Sequence, residues 1–173
     1  MKNELLEWTK TILISLIIAL VITTFVKPTI VKNHSMSSTL EENDFLMVSR
    51  FLYRRTEPHE GDIIVFKSPL LTASGHEKLL IKRIIALPGN ELTIRDGQVY
   101  VDGELLEEAY LEDDYTAGEI NMIIPEGKLF VMGDNRGNST DSRDQMLGLT
   151  DKSEIFGKAF LRIYPFNRFG WLN

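Results

Sequence analysis

The longest uniform stretch of the chain is its first. Residues 11–26, TILISLIIALVITTFV, carry no charge, and Lys10 and Lys27 bracket them. No polar face interrupts the run, which sets it apart from an amphipathic helix laid over a core. As a helix it would span about 24 Å, short of the roughly 30 Å hydrocarbon core of a bilayer. Trp8 and the two lysines would widen the span by sitting at the interfaces. The pattern predicts a transmembrane anchor over 11–26 behind a short tip of residues 1–10. A cleaved leader fits less well, because no small-x-small site follows closely.

From residue 27 the period becomes two. FLMVSRF (45–51), DIIVF (62–66), LLIKRIIAL (79–87), EINMIIP (119–125), KLFVMG (128–133) and IFGKAFLRIYPF (155–166) are β-rich runs. ELTIRDGQVYVDGELL (91–106) alternates cleanly, and Asp96-Gly97 divides it as a hairpin turn does. Short strands without long helical patterns predict a mostly β domain over 27–173, an antiparallel sheet coiled into a barrel-like form. Two polar stretches, 67–78 and 107–118, read as solvated loops, the second strongly acidic.

The run 79–87 breaks its own pattern. Alternation puts Leu80, Lys82, Ile84 and Ala86 on one face and Leu79, Ile81, Arg83, Ile85 and Leu87 on the other. Each face is apolar apart from one cation, so at least one cation is partly buried. Arginine keeps its proton in proteins. A lysine stripped of water is pushed towards the neutral amine, which serves as a general base. Lys82 is therefore the candidate base and Arg83 a candidate ion-pair partner. The alternative for each is a side chain snorkelling from a sheet edge.

Composition narrows the chemistry. With 43% hydrophobic and 25% charged residues the chain is not globally disordered. The formal net charge is -6, and Lys2, Lys10, Glu4 and Glu7 cancel, so the β domain carries the excess. That disfavours a nucleic-acid partner. Absence of cysteine removes disulfides, thiolate nucleophiles and cysteine-ligated zinc. His34, His59 and His76 have no metal-binding spacing, and no cofactor is expected. A nucleophile then falls to a hydroxyl. Ser35, in VKNHSMSSTL (31–40), stands just beyond the anchor, and with Lys82 it makes the simplest nucleophile–base pair on offer. A third polar cluster, GDNRGNSTDSR (133–143), holds partners for both cations: Asp134 for Arg83, Asp141 for Arg143, and Ser139 for the Lys82 amine.

The segments SMSSTL (35–40), KRIIALPGN (82–90) and GDNRGNSTDSR (133–143), with their order, spacing and preceding apolar run, resemble the boxes of bacterial type I signal peptidases. The compact size and single anchor resemble the Gram-positive form. The resemblance implies a serine endopeptidase anchored in the cell membrane, with its N-terminus cytoplasmic and its β domain outside, near the export machinery. Its substrates would be signal peptides of exported preproteins, cut after a small-x-small motif. The resemblance makes Ser35 the nucleophile, Lys82 the base and Ser139 the residue that orients it. Arg83, Asp134, Asp141 and Arg143 become structural ion pairs, and Asn33 borders the oxyanion hole. Val31, Met36, Leu40, Leu80 and Ile81 become substrate-binding residues, with the substrate added as a strand along 79–82. The chain departs from the family pattern at Ser38, where proline is usual, and at Asn33, Asn43 and Asn90. Those departures motivate an alternative, a catalytically weak or inactive paralogue acting as scaffold or chaperone in surface-protein or pilus assembly. A self-cleaving protease of the LexA-like sort is disfavoured by the apolar segment and the lack of a basic DNA-binding domain.

Overall fold

Helix α1 runs from Lys2 to Phe25 and leaves its described apolar side chains in the open. Leu6, Trp8, Ile12, Leu16 and Leu20 are all exposed. The Thr11, Thr23 and Thr24 hydroxyls donate back to carbonyls one turn earlier, which removes them from the need for outside partners. The computed structural model describes residues 2–72, 74–113 and 115–172, with the side chains at 2, 3, 5, 18, 21, 22 and 54 outside the description. Among the described residues no helix is long and apolar enough to cross a membrane. Positions 18, 21 and 22 of the expected anchor lie outside the described side chains.

The chain passes directly from α1 into strand β1, Val26–Ile30. There follow β2 (Phe45–Ser49), β3 (Ile63–Leu71), β4 (Glu77–Ala86), β5 (Glu91–Arg95) and β6 (Gln98–Val101). Then come β7 (Glu104–Leu105), β8 (Ile120–Ile123), β9 (Lys128–Met132), β10 (Thr150–Asp151), β11 (Ile155–Tyr164) and β12 (Gly170–Trp171). One sheet has the order β1-β2-β11-β3-β4-β9-β10, with β12 on β11; the other has the order β7-β6-β5-β8. Every pairing is antiparallel.

The expected mostly β, antiparallel architecture is present, but the barrel-like closure is not. The larger sheet ends in β1 and β10 without joining them. β10 is only two residues long, too short to close a ladder. Register shifts in β3, β4 and β11 bend the sheet without bringing its edges together.

Three apolar clusters fill the molecule, and β3 and β4 serve them all. Ile63 and Val65 face one cluster with Met36, Leu40, Leu46 and Val48. Ile64 and Phe66 face a second with Leu80, Ile84 and Val131. Ile85 and Ala86 join the third, which the smaller sheet completes with Leu92, Ile94 and Val101. Burial on both faces explains why 79–87 reads as a continuous apolar run.

One loop expectation is corrected and a second is refined. The stretch 67–78 is mostly strand: β3 reaches Leu71 and β4 begins at Glu77, leaving a tight turn closed by the Thr72–His76 backbone bond. The acidic stretch 107–118 is largely exposed, as expected, but part of it turns inwards. Glu108 forms a buried ion pair with Arg136, and Thr116 is buried beside it. Charge alone suggested solvent throughout; a buried cation far along the chain draws this one acid inwards.

Candidate active site

The segment 33–39 is a compact turn. Ser37 N donates to His34 O, Thr39 N to Met36 O and Leu40 N to Met36 O. Met36 and Leu40 are sunk in the core, so the turn is pinned from beneath while Ser35 stays half-buried at its top. The 133–143 loop holds it from the side. Asn135 N donates to Ser35 O at 3.1 Å, and Asn135 Nδ2 to His34 O at 3.0 Å. Gly133 lies against the same carbonyl. A Cβ there would fall 2.2 Å from Ser35 O and 2.3 Å from Ser139 Oγ, so no other residue fits.

Lys82 comes from the middle of β4 and is 1% exposed. Its Nζ donates to Ser35 Oγ at 2.5 Å, across 47 residues of sequence. Burial strips the ammonium of water and lowers its pKa to about 8. Asp141 opposes the fall, Lys78 deepens it, Asp134 opposes it and Arg143 deepens it. A sizeable fraction of Lys82 is therefore neutral near pH 8, hydrogen-bonded to a hydroxyl.

The four ion-pair residues surround this contact. Arg83 is almost fully buried and binds Asp134 through two hydrogen bonds, Nε–Oδ1 at 3.0 Å and Nη2–Oδ2 at 2.8 Å. Its Nη1 donates to Gly61 O. Asp141 meets Arg143 through Nε–Oδ1 and Nη2–Oδ2, both at 2.8 Å, and accepts from Gly133 N. Burial would raise the Asp141 pKa, but Arg143, Ser139 and the Gly133 N–H together hold it below the ordinary value. Two fixed anions thus stand near the Lys82 amine without bonding to it.

Ser139 makes no hydrogen bond to Lys82 here. Its Oγ is buried beside Gly133, near enough to favour the Asp141 carboxylate, yet it forms no hydrogen bond of ordinary geometry. The Lys82 Nζ hydrogen bond goes to Ser35. Asn33 is exposed at the rim beside Ser35.

An open groove of about 510 Å³ leads away from Ser35. It has a physical origin in the sheet. β9 pairs with β4 only from Arg83 onward, so the edge of β4 opposite β3 is unpaired from Glu77 to Lys82. β1 and the residues after it form the facing wall. Val31, Met36, Leu80 and Ile81 line the groove, whereas Leu40 lies in the core beneath Met36.

Several residues that hold the site were not picked out from sequence. Tyr110 lies 3.8 Å beneath the Arg83 guanidinium, and its carbonyl accepts from Ser38 Oγ at 2.7 Å. Arg136 binds Glu108 and donates to Gly133 O at 3.2 Å. The 107–118 segment thereby ties together the 33–39 turn, β4 and the 133–143 loop. Ser38 itself has φ +87°, a left-handed value. Proline is fixed near −65°, so the residue usual in the family cannot occupy this backbone.

The chain is similar to known proteins over most of its length. The family model described as "Signal peptidase, peptidase S26" matches residues 5–164. A probable signal peptidase I of a Synechocystis strain is 39% identical over 93% of this chain and 83% of its own length. Signal peptidase I of Bacillus licheniformis is 36% identical over 96% of this chain and 92% of its own. The crystal structure of a signal peptidase I from Enterococcus faecalis superposes with a TM-score of 0.50 at 31% identity, over 60% of this chain and 97% of that one.

Proposed function

The chain belongs to the signal peptidase family, peptidase S26, and from that premise we propose that Ser35 and Lys82 perform the cleavage. The activity is hydrolysis of signal peptides by a serine peptidase. The alternative scaffold role finds no support in the comparisons. The observation that carries the assignment of residues is the 2.5 Å hydrogen bond between a buried amine and a half-buried hydroxyl.

The chemistry follows from that contact. Neutral Lys82 takes the Ser35 proton as Oγ attacks the scissile carbonyl carbon. The oxygen of that carbonyl gains negative charge, which the Ser35 N–H and the Asn33 amide would stabilise, each by about 3 kcal/mol. Collapse breaks the carbon–nitrogen bond, and the Lys82 ammonium returns its proton to the leaving amine. Water, deprotonated by Lys82, then attacks the acyl-enzyme, and Oγ leaves with the proton. Asp141 and Asp134 hold the surroundings fixed, and Ser139, packed beside Gly133, would orient the Lys82 amine as substrate binds.

The substrate would lie as a strand along the unpaired edge of β4, its main chain bonded to 79–82. Val31, Met36, Leu80 and Ile81 form shallow walls that admit small side chains one and three residues before the cut. We further propose that 11–26 anchors the chain in the membrane, N-terminus cytoplasmic and β domain outside, near the export machinery. The exposed apolar side chains and self-satisfied threonines of α1 support this. Nine residues from Val26 to Ser35 span at most about 30 Å, which keeps the nucleophile near the lipid surface.

Ser35→Ala and Lys82→Ala test the assignment. Each is expected to lower kcat for a preprotein by at least about 10³-fold with the domain still folded. Substantial cleavage by either variant would overturn it.

A further inference from the structure

The groove carries a charge pattern that the cleavage reaction does not use. Its walls include two lysines, Lys32 and Lys78, and no acidic residue. This is notable in a chain with net charge -6. Neither lysine forms an ion pair among the described residues. The acids beside them are engaged elsewhere: Glu77 pairs with Lys67 at 3.5 Å, and Glu42 with His34 at 3.5 Å. Lys78 is half-buried, so its charge is only partly screened by solvent. Its field reaches Lys82, where it opposes the ammonium.

Position along β4 fixes what these cations would meet. Lys78 lies four residues before Lys82 and, by alternation, on the same side of the strand. At about 3.3 Å per residue it stands roughly 13 Å from the base. On the proposed reading, a substrate strand beside β4 has its last residue before the cut at the Lys82 end. The residues four to six before the cut then lie beside Lys78, with Lys32 across the groove.

We infer that Lys78 and Lys32 form a cationic subsite that selects an acidic side chain four to six residues before the cut. Unpaired lysines in a shared cleft repel one another, and an aspartate or glutamate relieves that repulsion while gaining two partners. This inference rests on the proposed substrate path and adds a charge preference to the small-residue preference.

The test uses the full-length protein in neutral detergent. Peptides with alanine one and three residues before the cut carry glutamate, glutamine or lysine at position four, five or six. The glutamate peptide is expected to have kcat/KM about three- to fivefold above the glutamine peptide at one or more of these positions, mostly through KM. The lysine peptide is expected to fall below both. Lys78→Glu is expected to reverse the order, and Lys32→Glu to flatten it. Because Lys78 also acts on Lys82, the ratio between peptides is the readout. Equal values for glutamate and glutamine at all three positions overturn the subsite while leaving cleavage intact. Failure of the unaltered protein to cut any peptide overturns the underlying reading and the subsite with it. A Lys78→Glu effect seen only in anionic phosphatidylglycerol vesicles would assign the lysines to lipid headgroups and overturn the subsite.

Discussion

A lysine moved from water to the Lys82 site loses hydration that Asp141 and Asp134 only partly replace, and its pKa falls from the ordinary 10.5 to about 8. That fall corresponds to about 3 kcal/mol. The sign follows from linkage. Between about pH 8 and 10.5 the unfolded chain binds the proton and the folded chain has released it, so stability attributable to this group rises across that window. Below pH 8 both states are charged and the folded state bears the full penalty. Lys82→Met should therefore be inactive yet more stable, by about 2–3 kcal/mol at pH 7. The gain should shrink towards pH 10, as read from urea unfolding at the two pH values. The same deprotonation governs the reaction, so the cleavage rate of the unaltered protein should climb through about pH 8 and level off above it. Ser38 offers a second single-residue test. Its φ of +87° and its N–H contact with Glu41 both exclude proline. Ser38→Pro should lower stability by at least about 2 kcal/mol and reduce cleavage, although proline is the family's usual residue there. Unchanged urea midpoint and rate would show that the turn is not built this way.

At the scale of elements, the segment 107–118 makes the site a single body. Glu108 and Arg136 are both buried, 28 residues apart, and Arg136 in turn holds Gly133 O against the nucleophile turn. Glu108→Ala leaves the guanidinium uncompensated, a change worth about 3–5 kcal/mol. The expected result is a lower midpoint in urea and a lower kcat, with Glu108→Gln intermediate in both. This element also marks the limit of what sequence shows. Strand β4 was legible because burial on both faces leaves an apolar run, and the lysine inside it stands out as chemistry. The hairpin at Asp96-Gly97 was legible because its two residues, at φ +51° and +78°, advertise the turn. EEAYLEDDYTAG carried the opposite signal. Its acids looked solvated, since the arginine that buries one of them lies in another loop and no local spacing points to it. Gly133 sat inside a quoted motif, yet its need for a missing Cβ appears only when Ser35 O and Ser139 Oγ are in place. The open edges of the larger sheet were hidden for a similar reason, because alternation gives strands and not the pairing that ends at β1 and β10.

For the whole molecule, the question is what α1 contributes. At its C-terminal end it meets the β domain through the Phe25–Phe51 ring contact at 5.1 Å and the Arg50 N to Phe25 O bond at 3.1 Å. Among the described residues, none of α1 belongs to any of the three apolar clusters. On the proposed anchoring, the work of the helix is placement rather than folding. Tethering enzyme and substrate to one surface would then raise their effective concentration, and the nine residues from Val26 to Ser35 would hold the hydroxyl within that layer. Removing residues 1–25 should leave the urea midpoint nearly unchanged and a soluble peptide cut at close to the full rate. Cleavage of a preprotein embedded in vesicles should fall by at least about tenfold, and flotation with the vesicles should be lost. A truncated chain that kept the embedded-substrate rate would move the membrane contact from α1 to the β domain, where Phe166, Phe169 and Trp171 stand exposed near the end of the chain.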